Sequence, residues 1–214
     1  MHFQYGPKEI AYLKNRDQTL GRAIEQIGHI HRAVESDLFC SIVRHIIGQQ
    51  ISTRAQETIW QRLRCGVGTV NAGTICALEL PALQRYGMTF KKAEYIKEIA
   101  AKVKNKDLDL RALRNLPDAA VIKELTDLKG VGVWTAEMVM IFGMQRPDIV
   151  SYGDLGIRRG MRMLYRLKEL DRNRFAQYTK RYTPHGSVAS LYLWAVAGGT
   201  IPELQDPAKQ SDHP

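Results

Sequence analysis

Apolar residues recur at three- and four-residue intervals along nearly the whole chain, the spacing that puts them on one face of an α-helix. The pattern predicts helices over roughly 18–30, 37–48, 52–64, 79–86, 90–104, 118–127, 133–143, 154–166, 172–181 and 187–198. Ser52 suits the N-cap of one of these, and Pro117-Asp118 opens another. The links between them are short and carry Gly, Pro, Asn or Asp. No run alternates as a half-buried strand does, so the fold class is all-α. There is no 20–50-residue repeat and no low-complexity tract. The glycines of 66–73, GVGTVNAG, lack the G-x-G-x-x-G spacing and a preceding strand, so that segment reads as a connecting loop. The organisation expected is one helical domain over 1–201, followed by a polar, proline-containing tail over 202–214 that frays.

Composition narrows the class. With 44% hydrophobic and 25% charged residues in 214, the chain has an ordinary globular balance and enough length for a core without disulfides. Its longest apolar stretches, interrupted by residues such as Glu137 and Ser190, fall short of the ~20 residues a bilayer span needs, so no membrane partner is expected. The opening MHFQYGPKEI has no basic segment leading into an apolar one, which points to a cytoplasmic protein. Cys40, Cys65 and Cys76 are odd in number and sparse, and read as reduced thiols. Three cysteines cannot supply a four-cysteine iron–sulfur cluster or zinc knuckle, and the six histidines form no H-E-x-x-H.

Charge is unevenly placed. The chain carries 31 Lys+Arg against 22 Asp+Glu, a formal +9. Arg158, Arg159, Arg162, Arg166, Lys168, Arg172, Arg174, Lys180 and Arg181 crowd between Tyr152 and Tyr182, against only Asp154, Glu169 and Asp171. Arg158, Arg162 and Arg166 are spaced by four and form one helical stripe. The stripe is either a solvated face or a phosphate-binding surface, since a polyanion rewards clustered cations by counterion release.

The chemistry-bearing stretch is Leu128-Lys129-Gly130-Val131-Gly132-Val133-Trp134-Thr135-Ala136, set between two predicted helices. Two glycines within three residues allow a tight turn, and the helix that follows begins with free amide N–H groups suited to phosphate. This stretch resembles the helix-hairpin-helix DNA-binding motif, L-x-G-V-G. Asp154 follows Gly132 by 22 residues in Val150-Ser151-Tyr152-Gly153-Asp154-Leu155-Gly156-Ile157-Arg158-Arg159. That arrangement resembles the helix-hairpin-helix DNA glycosylases, and G-D-L-G-I-R-R is most similar to their 3-methyladenine DNA glycosylase II branch. Ile46-Ile47-Gly48-Gln49-Gln50-Ile51-Ser52 and Tyr182-Thr183-Pro184-His185-Gly186-Ser187-Val188-Ala189, leading to Trp194, extend the resemblance over about residues 36–198. Two departures stand out. Tyr152 occupies the position where the branch often has proline, and too few residues precede Ser36 for the N-terminal β domain of some members.

The resemblance implies two helical lobes with the active-site cleft between them. It implies a monofunctional enzyme of base excision repair that flips out alkylated purines such as 3-methyladenine and hydrolyses their N-glycosidic bond. Asp154 would be the catalytic carboxylate, stabilising positive charge on the sugar as the base departs. Trp134 fills the slot where bifunctional members carry a Schiff-base lysine, and an indole has no nucleophilic nitrogen for that step. Trp134, Tyr152 and Trp194 would line the base pocket, where an electron-rich ring attracts a cationic base. Gln49, Gln50 and Ile51 form the turn expected to enter the DNA, with Gln50 favoured as the wedge. Lys129, Gly130, Gly132 and Ser187 would meet DNA phosphate. Backbone carbonyls of Thr126, Leu128 and Val131 would hold a structural Na+ or K+ at the hairpin, with no cofactor required for chemistry. The expected partner is double-stranded DNA containing alkylated bases, bound by a monomer. Two rivals stay open: a glycosylase for deaminated or oxidised bases, and a non-catalytic DNA-binding hairpin module.

Overall fold

The computed structural model describes residues 1–209. Those residues form thirteen α-helices and a closing 3-10 turn over Pro207–Lys209, with no strand longer than the isolated bridge between His2 and Ala33. The all-α expectation holds, with no β-rich segment ahead of the helices among the described residues. None of these helices is long and apolar enough to cross a membrane. All three cysteines are free.

The chain divides into two compact units. Residues Glu35–Met144 form one. It contains α3 (Leu38–Gly48), α4 (Thr53–Val67), α5 (Ala72–Ala77), α6 (Leu80–Gln84), α7 (Phe90–Lys104), α8 (Leu110–Leu113), α9 (Asp118–Thr126) and α10 (Val133–Phe142). Helix α10 is apolar nearly all round, as a helix enclosed by its neighbours must be. Its Ala136, Val139, Met140 and Ile141 are fully buried, and it packs on α3, whose Ile42, Val43, Ile46 and Ile47 are fully buried too. Fully burying each of the Val, Ile and Met side chains among these stabilises by about 1.5–3 kcal/mol. The ends are capped by side chains: Asp37 accepts from Cys40 N, Ser52 from Ala55 N and Thr89 from Lys92 N. The glycine cluster at 66–73 is not wholly loop, because α4 runs on through Val67 and Asn71 caps α5 from Ala72.

The second unit joins Met1–Val34 to the chain from Gln145 on. It holds α1 (Pro7–Arg16), α2 (Gln18–Ile27), α11 (Leu155–Tyr165), α12 (Arg172–Tyr182) and α13 (Gly186–Ala197). Helix α13 buries every residue from Gly186 to Leu193. Helix α11 lies directly on it, because Gly160 has no side chain. A methyl group there would collide with the Leu193 carbonyl oxygen. This contact sets where the N-terminus of α11 sits, and with it Asp154.

Part of the C-terminal stretch is held against the helices of its unit. Ile201 is buried, and Asp206 is buried against α11, where Arg162 Nε and Nη2 donate to its two oxygens at 3.1 and 2.7 Å. Those bonds hold the Asp206 carboxyl below the usual carboxylate range. Residues 210–214 of the expected tail lie outside the described residues.

Candidate active site

Asp154 is the N-cap of α11 and is 8% exposed. Its Oδ1 accepts the Ile157 backbone N–H at 2.8 Å and the indole Nε1–H of Trp194 at 2.9 Å. The first bond is what any capping aspartate makes. The second is not: it comes from α13, forty residues on, and with the first it fixes the rotation of the carboxylate. Asp154 and Trp194, both singled out in the sequence, are therefore brought together. The half-buried indole reaches the acid through its N–H.

Tyr152, two residues before the acid, is engaged by side chains of its own unit. The guanidinium groups of Arg158 and Arg172 lie over its ring, 5.1 and 4.5 Å from the centroid. Phe175 meets it edge-on at 5.1 Å. The arginine stripe on α11 is split by function. Arg162 is paired with Asp206, Arg166 is an exposed C-cap, and Arg158 is on Tyr152. Ser187, at the start of α13, is engaged within its own unit. It is wholly buried, its hydroxyl donates to Arg146 O at 2.5 Å and accepts from Ile149 N at 3.0 Å, and its own N–H donates to Pro147 O. Those bonds seat the 146–149 segment on α13.

In the other unit, α9 and α10 enclose the hairpin. Gly130 has φ +83°, and a Cβ there would strike the Tyr95 ring. Gly132 caps α10 with φ −90°, and a Cβ there would meet open space. Lys129 is 70% exposed and pairs with Glu98 at 3.1 Å. Trp134 lies in the first turn of α10, half-buried. The turn after α3 separates its two glutamines. Gln49 is half-buried, and its Nε2 donates to Gly130 O at 2.8 Å and to Thr135 Oγ1 at 3.0 Å. Gln50 is exposed and left-handed, with φ 57°, and Ile51 beside it is 37% exposed. Lys92 of α7 donates to Ile47 O at 2.9 Å and Gln49 O at 2.7 Å, capping α3, and burial lowers its ammonium pKa below the ordinary value. The turn, α7 and the hairpin are thus one bonded assembly. Lys92 and Tyr95 have no part in the motifs, and helical spacing marks them only as residues of α7.

Comparison with known proteins bears on this geometry. The profile of the HhH-GPD superfamily, base excision DNA repair proteins, matches residues 43–184, which include both the hairpin and Asp154. DNA-3-methyladenine glycosylase 1 of Schizosaccharomyces pombe is 24% identical over 210 residues, covering 94% of this chain and 91% of that protein. The crystal structure of a DNA-3-methyladenine glycosidase from Bacillus halodurans superposes with a TM-score of 0.82, at 32% identity and over the whole of both chains. An S. pombe 3-methyladenine DNA glycosylase in complex with abasic DNA has a TM-score of 0.78 at 24% identity, over 88% of this chain and 95% of that one.

Proposed function

The chain belongs to the HhH-GPD superfamily of base excision DNA repair proteins, and on that premise we propose that it is a monofunctional DNA glycosylase for alkylated purines such as 3-methyladenine. The observation that carries this reading is the buried Asp154 carboxylate, held by two N–H donors at the head of α11. Its full-length likeness to a DNA-3-methyladenine glycosidase supports the substrate class.

The damaged nucleotide leaves the duplex stack before reaction. As the bond between C1′ and the base nitrogen breaks, its electron pair goes with the base. An N-alkylated purine already carries positive charge, so it departs neutral. The sugar becomes oxocarbenium-like, and the fixed carboxylate stabilises that charge. Water adds to C1′ and gives up its proton, leaving an abasic site. Trp134 replaces the amine that a lyase would need, so no Schiff base forms. Gln50 and Ile51 are the exposed residues of the turn that enters the DNA, and Lys129 with the Gly130 and Gly132 backbone meets phosphate. The carbonyls of Thr126, Leu128 and Val131 are oxygen donors suited to Na+ or K+, and Thr126 O, at the end of α9, accepts no backbone N–H among the described residues. Leu128 O accepts only the Val131 N–H among backbone donors, which leaves a lone pair for an ion. Such an ion would stiffen the hairpin, and base release does not pass through it.

The test is base release from N-methylated duplex DNA. The unmodified chain should liberate 3-methyladenine. Asp154→Asn should bind the duplex and lose roughly a hundredfold or more of the rate. Full activity in Asp154→Asn, or a borohydride-trapped covalent adduct with the wild-type chain, would overturn the reading.

A further inference from the structure

Two guanidinium groups share one aromatic ring beside Asp154. Arg158 projects from α11 one helical turn beyond the acid, and its N–H bonds back to Asp154 O at 3.1 Å. Arg172 begins α12. Both lie over Tyr152, whose ring is braced by Phe175 and whose hydroxyl donates to Leu170 O at 3.5 Å. A cation over a tyrosine face is favourable on its own. Two cations over the same ring repel each other, and no carboxylate pairs with either among the described residues. Nearby arginines differ: Arg162 meets Asp206, and Arg181 meets Asp17.

We propose that Arg158 and Arg172, stacked on Tyr152, form a clamp for one phosphodiester of the DNA strand that carries the lesion. Guanidinium forks match phosphate oxygens in pairs, and stacking on the ring holds their planes ready. A phosphate there neutralises the repulsion between the two guanidinium groups. The clamp rests on the glycosylase reading, since a turn of α11, about 5.4 Å of rise, separates it from the acid that meets the sugar. A phosphate it grips is therefore close to the target nucleotide. On this assignment Tyr152 is a platform for the arginines and not a wall of the base pocket. Free phosphate shares the chemistry of the strand. The strand is favoured because the stretch between Tyr152 and Tyr182 carries seven basic residues besides the clamp pair.

The experiment is the salt dependence of binding to undamaged duplex, measured for the wild-type chain and for Arg158→Gln, Arg172→Gln and the double variant. The double variant should bind about tenfold more weakly, with a log–log salt slope shallower by about one. Arg158→Lys with Arg172→Lys keeps the charge and should keep most of the slope. Arg22→Gln, an exposed arginine on α2, should leave the slope unchanged. Tm is followed for each. A lowered Tm with an unchanged slope makes the pair a tie between α11 and α12 and overturns the clamp. Saturable binding of inorganic phosphate that the double variant abolishes, with duplex binding untouched, also overturns it. Base release by the wild-type chain is assayed in the same preparations. An active wild type with an unchanged slope defeats the clamp alone, whereas an inactive wild type with a changed slope defeats the glycosylase reading and keeps the clamp as a DNA contact.

Discussion

Trp194 Nε1 donates to Asp154 Oδ1 at 2.9 Å, joining α13 to the N-cap of α11. A hydrogen bond to a charged group contributes about 1.5–3 kcal/mol. Trp194→Phe keeps an aromatic ring and removes the donor. If the carboxylate acts only when held in place, the rate of base release under single-turnover conditions should fall about tenfold or more. Duplex affinity should change little. An unaltered rate would reduce the indole to packing.

The neighbouring glutamines should separate cleanly. Gln49 bonds the α3–α4 turn to the hairpin through Gly130 O and Thr135 Oγ1. Gln49→Leu should destabilise the fold by about 1–3 kcal/mol, because two acceptors lose their donor. Gln50 is exposed, and the structure gives its side chain no such tie. Gln50→Ala should leave Tm within about 1 °C, a change of under ~0.3 kcal/mol, while slowing base release from duplex more than from single-stranded substrate. Equal loss of Tm in the two variants would contradict the division.

These relationships show what the sequence could and could not reveal. The long helices were legible because each buries a stripe at helical spacing, as α3 and α11 do. Helix α1 was not, because Leu13 alone among its ten residues is buried. Helices α5 and α8, with six and four residues, are too short to show a period. The hairpin and Asp154 stood out because glycine and aspartate at fixed spacing carry a turn and a charge. Trp194 donating to Asp154, Lys92 to Gln49 O, and Arg162 to Asp206 each join residues about forty apart, and no local pattern announces such pairs. The partners of Ser187 are equally hidden from the sequence. A serine at a helix start offers a donor, and only the structure shows that Arg146 O accepts from its hydroxyl.

The hairpin glycines should also respond differently. Gly130→Ala places a side chain at φ +83° and against Tyr95. The backbone conformation alone costs about 1–2 kcal/mol, so Tm should fall by several degrees and more with the clash. Gly132→Ala meets open space at an ordinary φ and should fold nearly as stably. Its methyl group stands where a phosphate would approach, so duplex affinity should drop. Gly132→Ala binding duplex as tightly as the wild type would remove Gly132 from the interface.

Asp206 ties residues 201–209 to α11 and gives a pH-dependent signature. Arg162, then the Ala208 N–H, then Arg159 hold its carboxyl below the ordinary range. A carboxylate with a depressed folded pKa stabilises fully above its unfolded value of about 3.9 and loses that contribution as pH falls through the lower folded value. Asp206→Asn should therefore cost on the order of 2 kcal/mol at neutral pH. That is less than the ~3–5 expected for breaking a fully buried pair, because Arg162 retains 23% exposure. The gap in Tm between wild type and Asp206→Asn should hold steady from pH 7 to about 5 and close below about pH 4. A gap that persists to pH 2 would mean that shape, and not charge, seats this segment on the helix that Asp154 caps.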